Sequence, residues 1–165
     1  MEVEMSEEKS FSEAEAQLHF AKDFNGKTWG LLDKQERTKE ENELLTDYAH
    51  ASLAHWRAAG TGVHLQRGVW MLARVYTVLG NAQMALQYAA GCLELTKQHK
   101  ELLSDFDFAF AYECMARAQA LAGEKAEAQN YIAKVDEAGK AIKDAEDRQI
   151  FYDDFDGGEW FGVRD

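Results

Sequence analysis

The sequence predicts an all-α fold built from antiparallel helix hairpins, on three observations. The 165 residues contain no proline, so nothing in the chain removes a helical amide or clashes with the preceding turn. Apolar residues recur at three- and four-residue spacing along most of the chain, the period of one helical face. The glycines sit between those periodic segments, where they act as turns.

The elements follow in order. Ser12 with Glu15 forms a capping box that opens a first helix from Ser12 to Phe24, its stripe being Phe11, Ala14, Leu18 and Ala21. Asn25-Gly26 should stop it, leaving Lys27–Asp33 as an apolar connector in which Trp29 either lies on the core or stands out as a partner anchor. Two boxes in series, Asp33 with Glu36 and Thr38 with Glu41, offer starts for a second helix that ends near Ala59. Its buried side holds Leu45, Tyr48, Ala49, Leu53 and Trp56. A third helix spans Val63–Leu79 and a fourth Ala82–Gln98, joined at Gly80-Asn81. Ser104 or Asp105 caps a fifth helix to Ala122, Gly123 turns the chain, and a sixth runs over Lys125–Lys140. Residues 144–156 make a short seventh helix with Ile150, Phe151 and Phe155 as its apolar side, and residues 157–165 read as a tail.

A shift of 43 residues, from Gly80 to Gly123, also superposes Ala73 on Ala116 and Ala85 on Ala128. Small residues at such positions let two helices approach closely, while Leu72, Tyr76 and Leu79 fill the space between neighbouring pairs. The text here resembles a tetratricopeptide repeat: Leu72-Ala73, Tyr76 and Ala85 fall on that pattern. Val69, Ala89 and Lys97 depart from it where tryptophan, an aromatic and proline are expected. A second copy runs through Met115-Ala116, Gln119, Ala128 and Ile132, and Ala49, Leu53 and Trp56 echo the spacing of Ala85, Ala89 and Cys92.

The resemblance covers residues from about 40 to 143. It implies a right-handed superhelix of about three hairpins: 10–60 a divergent N-terminal hairpin, 63–98 and 104–143 repeats, and 144–156 a C-terminal capping helix. The spacing exceeds the family's period of roughly 34 residues, which implies longer helices. The chain also looks like a group of small bacterial repeat proteins.

Composition narrows the functions. One domain of this length buries roughly 70% of its unfolded surface, and with 46% hydrophobic residues it can build a core without staples. A formal charge of -12 disfavours nucleic acid and anionic membranes as partners. The opening MEVEMSEEKS is acidic where a signal peptide is basic and then apolar. Cys92 and Cys114 lie in apolar helical text without metal-ligand spacing, as packed reduced thiols or a redox switch. A cytoplasmic protein is expected.

Several constellations invite chemistry. Asp47 with His50 has the spacing that places two ligands on one helical face, with His55 nearby, so a metal or small-molecule enzyme is one alternative. Neither His55 nor His64 completes a di-metal set, and the loop around YDDFDGGEW puts Tyr152 and Val163 where a calcium loop needs carboxylates. No nucleophile elbow, phosphate loop or zinc-spaced cysteine set occurs, and no cofactor is implied.

Arg67, Arg74 and Arg117 are the more informative set. The resemblance implies that the first helix of each hairpin lines a concave groove, with Arg67, Trp70, Arg74, Glu113 and Arg117 in it. Guanidinium forks there suit the carboxylates of an acidic peptide or a C-terminus; otherwise the arginines pair with Glu113 or Asp107. The expected function is a non-catalytic module that binds a protein or peptide. The alternative is a homo-oligomer, possible as a dimer, that buries the aromatics of connector and tail. Trp160 and Phe161 either cap the last hairpin or mark such a surface.

Overall fold

The structure, a computed structural model, describes residues 10–164. Residues 1–9, in which the leader reading falls, and Asp165 lie outside the described residues. Among the described residues seven α-helices run in order: α1 (Glu13–Leu32), α2 (Lys39–Ala59), α3 (Gly62–Val78), α4 (Ala82–Gln98), α5 (Asp105–Leu121), α6 (Lys125–Ala141) and α7 (Ala145–Asp156). There is no strand among the described residues. Helices pack mainly on their neighbours in sequence, α5 also touches α3, and α7 rests on α5 and α6. The result is the all-α hairpin stack that the sequence predicts.

Local chemistry sets the helix starts. Glu15 Oε2 accepts from the Ser12 amide at 2.8 Å while Ser12 Oγ accepts from the Glu15 amide at 3.2 Å. Thr38 and Glu41 repeat the exchange at 3.0 and 3.2 Å. Two otherwise unmet amides are satisfied at each start. Thr38 therefore opens α2, and Asp33 instead ends α1.

The expected stop at Asn25-Gly26 does not occur, because α1 continues to Leu32 and the supposed connector is helix. A mid-helix glycine costs only about 1 kcal/mol. Continuation keeps Thr28 fully buried and lets Leu31 and Leu32 pack on the core. Ser52 Oγ donates to the Ala21 carbonyl at 2.8 Å, tying α1 to α2. Phe11, assigned to the α1 stripe, precedes the cap and is 61% exposed.

The 43-residue shift is visible in the backbone. Asn81 donates to the Tyr76 carbonyl at 2.9 Å and Gly80 to Thr77 at 3.1 Å; Glu124 donates to Gln119 at 3.0 Å and Gly123 to Ala120 at 3.1 Å. These paired bonds close a helix end of the Schellman type, and they need the positive φ of 75° at Gly80 and 81° at Gly123. Ala73, Ala85, Ala116 and Ala128 are all fully buried between the paired helices.

Asp144 caps α7 by accepting from the Glu146 and Asp147 amides, both at 2.9 Å. Phe151 and Phe155 face inward, but Ile150, expected beside them, is 49% exposed on another face of the helix. The tail folds back onto the core. Trp160 is buried, with its ring edge-on to Phe155 at 5.4 Å and its indole N–H donating to the Phe155 carbonyl at 3.0 Å. Among the described residues no helix is long and apolar enough to cross a membrane.

Candidate functional site

Four odd-numbered helices share one face, and a cleft of about 590 Å³ lies between them. Helical spacing explains each contribution, since residues three or four apart fall on one side. Asn25 and Trp29 come from α1; Gln66, Arg67, Trp70 and Met71 from α3; Phe106, Asp107 and Phe110 from α5; Ile150, Asp153 and Asp154 from α7. Four of the twelve lining residues are aromatic. Trp29 lies 5.9 Å from Trp70, Trp70 packs edge-to-face on Phe110 at 5.3 Å, and Phe106 does so on Phe110 at 4.6 Å.

The five residues expected in an open groove divide into two layers. Arg67 and Trp70 line the cleft, whereas Arg74, Glu113 and Arg117 are not among its lining residues and hold α7 in place. Arg67 forks onto Asp107, Nε to Oδ1 at 2.7 Å and Nη2 to Oδ2 at 3.1 Å. Arg74 donates to Glu113 at 3.3 Å and to Asp154 at 2.7 Å. Arg117 pairs with Glu113 and donates to four carbonyls near the end of α7: Asp154 at 2.8 Å, Gly157 at 2.9 Å, Glu159 at 3.1 Å and Phe155 at 3.4 Å. Its guanidinium also lies 4.2 Å from the centre of the Trp160 ring. The expectation of three guanidiniums aimed into one open channel is thus corrected. Pairing with Glu113 and Asp107, left open by the sequence, is what occurs.

This arrangement depends on Gly158, whose φ is 71° and where a Cβ would come within 2.9 Å of Arg117 Nη1. A side chain at that position would collide with the guanidinium as well as strain the backbone.

Among the described residues, three polar atoms near the cleft are buried without a hydrogen-bond partner: Trp70 Nε1, Glu113 Oε2 and Asp154 Oδ2. Burial, reinforced by the charge of Glu113, pushes the Asp154 carboxyl above its ordinary value, while Arg74 and Arg117 pull it back. Gln66 is fully enclosed and donates to Thr96 Oγ1 at 3.1 Å and to the Asp107 carbonyl at 3.3 Å, bracing the wall behind Arg67.

Sequence reasoning missed Gln66 and Asp154. The signal for Gln66 was one amide in apolar helical text. Asp154 falls inside the predicted seventh helix, in an acidic run whose chemistry was weighed as a calcium loop; the run is the end of α7.

Asp47, His50 and His55 do not converge. His50 Nε2 meets the Tyr76 hydroxyl at 2.9 Å on α3, His55 Nδ1 meets Gln17 Oε1 at 2.5 Å on α1, and Asp47 is exposed. Among the described residues no group of three or more His, Cys, Asp or Glu is placed to hold a metal ion. Cys92 and Cys114 are free and buried, and burial followed by the neighbouring Cys92 thiol pushes the Cys114 thiol well above its ordinary value.

No protein-family model matches the chain, and neither a curated protein nor a solved structure matches it.

Proposed function

We propose that the protein is a non-catalytic interaction module that takes a peptide or helix of a protein partner into the cleft between α1, α3, α5 and α7. The carrying observation is the cleft itself. Its volume of about 590 Å³ falls within the ~300–1,000 Å³ of small-molecule pockets, room for the anchoring side chains of such a segment. Trp29 and Ile150, large apolar side chains left exposed, stand on its lining. Such side chains gathered at one concavity support a binding face more than the same residues scattered singly.

The tetratricopeptide-like plan belongs to the same proposal, since the first helices of successive hairpins supply a groove in that architecture. The end of α7 is an example in cis: Arg74 of α3 and Arg117 of α5 hold it. A partner helix would use the adjoining part of the same face. An acidic partner would have to take Arg67 from Asp107, so apolar contact leads. A cytoplasmic setting fits the two free thiols.

The test is hydrogen–deuterium exchange on a complex recovered from native lysate with the full chain. Slowed exchange in α1 around Trp29, in α3 around Trp70 and in α5 around Phe110 supports the proposal. Protection confined to other faces sinks it.

A further inference from the structure

Building on that interaction-module reading, we propose that the cleft selects a partner segment in which a lysine or arginine stands next to a large apolar side chain. The lining carries three carboxylates, Asp107, Asp153 and Asp154, against one guanidinium, Arg67. Asp107 and Arg67 satisfy each other through two hydrogen bonds. Asp153 and Asp154 remain on the α7 side: Asp153 accepts from the neutral Gln149 amide at 2.7 Å, and Asp154 has an arginine already shared with Glu113. Asp154 Oδ2 has no partner.

Bringing a cation to that wall completes the pairing, whereas a carboxylate brought there meets like charge in a partly desolvated site. The facing wall suits the rest of such a residue. Aromatic faces attract ammonium and guanidinium groups, and the apolar stem of lysine or arginine packs along them. The chain already uses this contact beside the cleft: the Arg164 guanidinium lies 3.8 Å from the Phe155 ring centre, and Arg117 covers Trp160. A peptide also brings backbone carbonyls, the kind of acceptor that the Trp70 indole N–H lacks. A simple alkylamine brings none. Shape, charge and the unmet donor therefore favour a basic, apolar peptide.

The probe is a random peptide library displayed on phage, selected on the full chain and counter-selected on Trp29→Ala and, separately, on Ile150→Ser. Ile150 is half exposed, so Ile150→Ser should keep the wild-type circular dichroism melt; Trp29→Ala loses a ring contact with Trp70 and is used below its own melting temperature. Sequences retained by wild type and lost on either variant should be enriched in lysine or arginine adjacent to leucine, phenylalanine or tryptophan. One such peptide, synthesised with blocked ends, should bind about tenfold more weakly to Asp153→Asn/Asp154→Asn. It should bind the control Glu40→Gln/Glu43→Gln, on the exposed start of α2, as it binds wild type.

Equal weakening by the two pairs would assign the preference to overall charge and overturn the selectivity. Enrichment of acidic or uncharged peptides that still depend on Trp29 would overturn it while leaving the interaction module standing. A library with no sequence that distinguishes wild type from either cleft variant would remove both.

Discussion

Arg117→Met tests how the C-terminal helix is held. Methionine keeps much of the buried volume and removes the charge. Glu113, fully buried, is left with Arg74 alone at 3.3 Å. Breaking a buried pair from one side costs roughly 3–5 kcal/mol, and the surviving Arg74 contact puts the expected value near the lower end. The lost ring contact with Trp160 adds about 0.5–2 kcal/mol. The four carbonyls at the end of α7 lose their donor but regain water if that end loosens. A total near 4 kcal/mol is a large share of the roughly 5–15 kcal/mol that holds an ordinary domain folded. Urea unfolding measures it, and hydrogen exchange should show the amides of α7 and of Trp160 opening before those of α3 and α5. Glu113→Gln added to Arg117→Met should restore at least half of the loss, because no bare charge then remains buried. A single variant within about 1 kcal/mol of wild type, or a double variant no better than the single, would refute this account of the attachment.

Other perturbations separate backbone, packing and charge. Gly26→Ala or Gly30→Ala should raise stability by about 0.5–1 kcal/mol in urea unfolding, since both lie in α1 with open space where a Cβ would stand. Gly139→Ala should instead lower it by about 1–3 kcal/mol, because its Cβ would meet Phe151 at 2.8 Å and the Tyr152 hydroxyl at 2.9 Å. Burial, with Arg57 and Arg67 as neighbours, depresses the basicity of His50 and His64 below the ordinary 6.5. Their contribution to stability is present above that value and lost as pH falls below it. Thermal midpoints should therefore drop on acidification through that range and drop less in His50→Gln/His64→Gln. Asp154 works in the opposite sense: its contribution is present below the ordinary 3.8 and lost as pH rises through the raised value. Asp154→Asn should flatten that slope and unfold at no lower urea concentration than wild type at neutral pH; a lower midpoint would mean that the Arg74 pair outweighs burial.

The local code for this fold was legible where its physics is local. Capping boxes, the glycine turns at Gly80 and Gly123, and the buried alanines that face across the hairpins are settled by neighbours in sequence. Asn25-Gly26 misled because a turn signal states a preference of about 1 kcal/mol, and the burial of residues on both sides of it exceeds that. Arg67 and Trp70, which the resemblance put in a groove, line the cleft. The fates of Arg74 and Arg117 depended on where α7 comes to rest, through contacts such as Arg74 with Asp154, separated by 80 residues. No periodicity encodes that distance. Ile150 shows the same limit, since three apolar residues in one short helix do not say which of them the core accepts.

Arg117 grips α7 mostly by main-chain carbonyls. Backbone acceptors are common to every residue type, so beyond the glycine it needs at Gly158 this clamp reads the position of a chain end rather than its lettering. Ile150 and Asp153, which the clamp does not touch, can change identity without loosening the helix that carries them. One wall of the cleft is therefore free to vary its taste in ligands while the scaffold beneath keeps its shape.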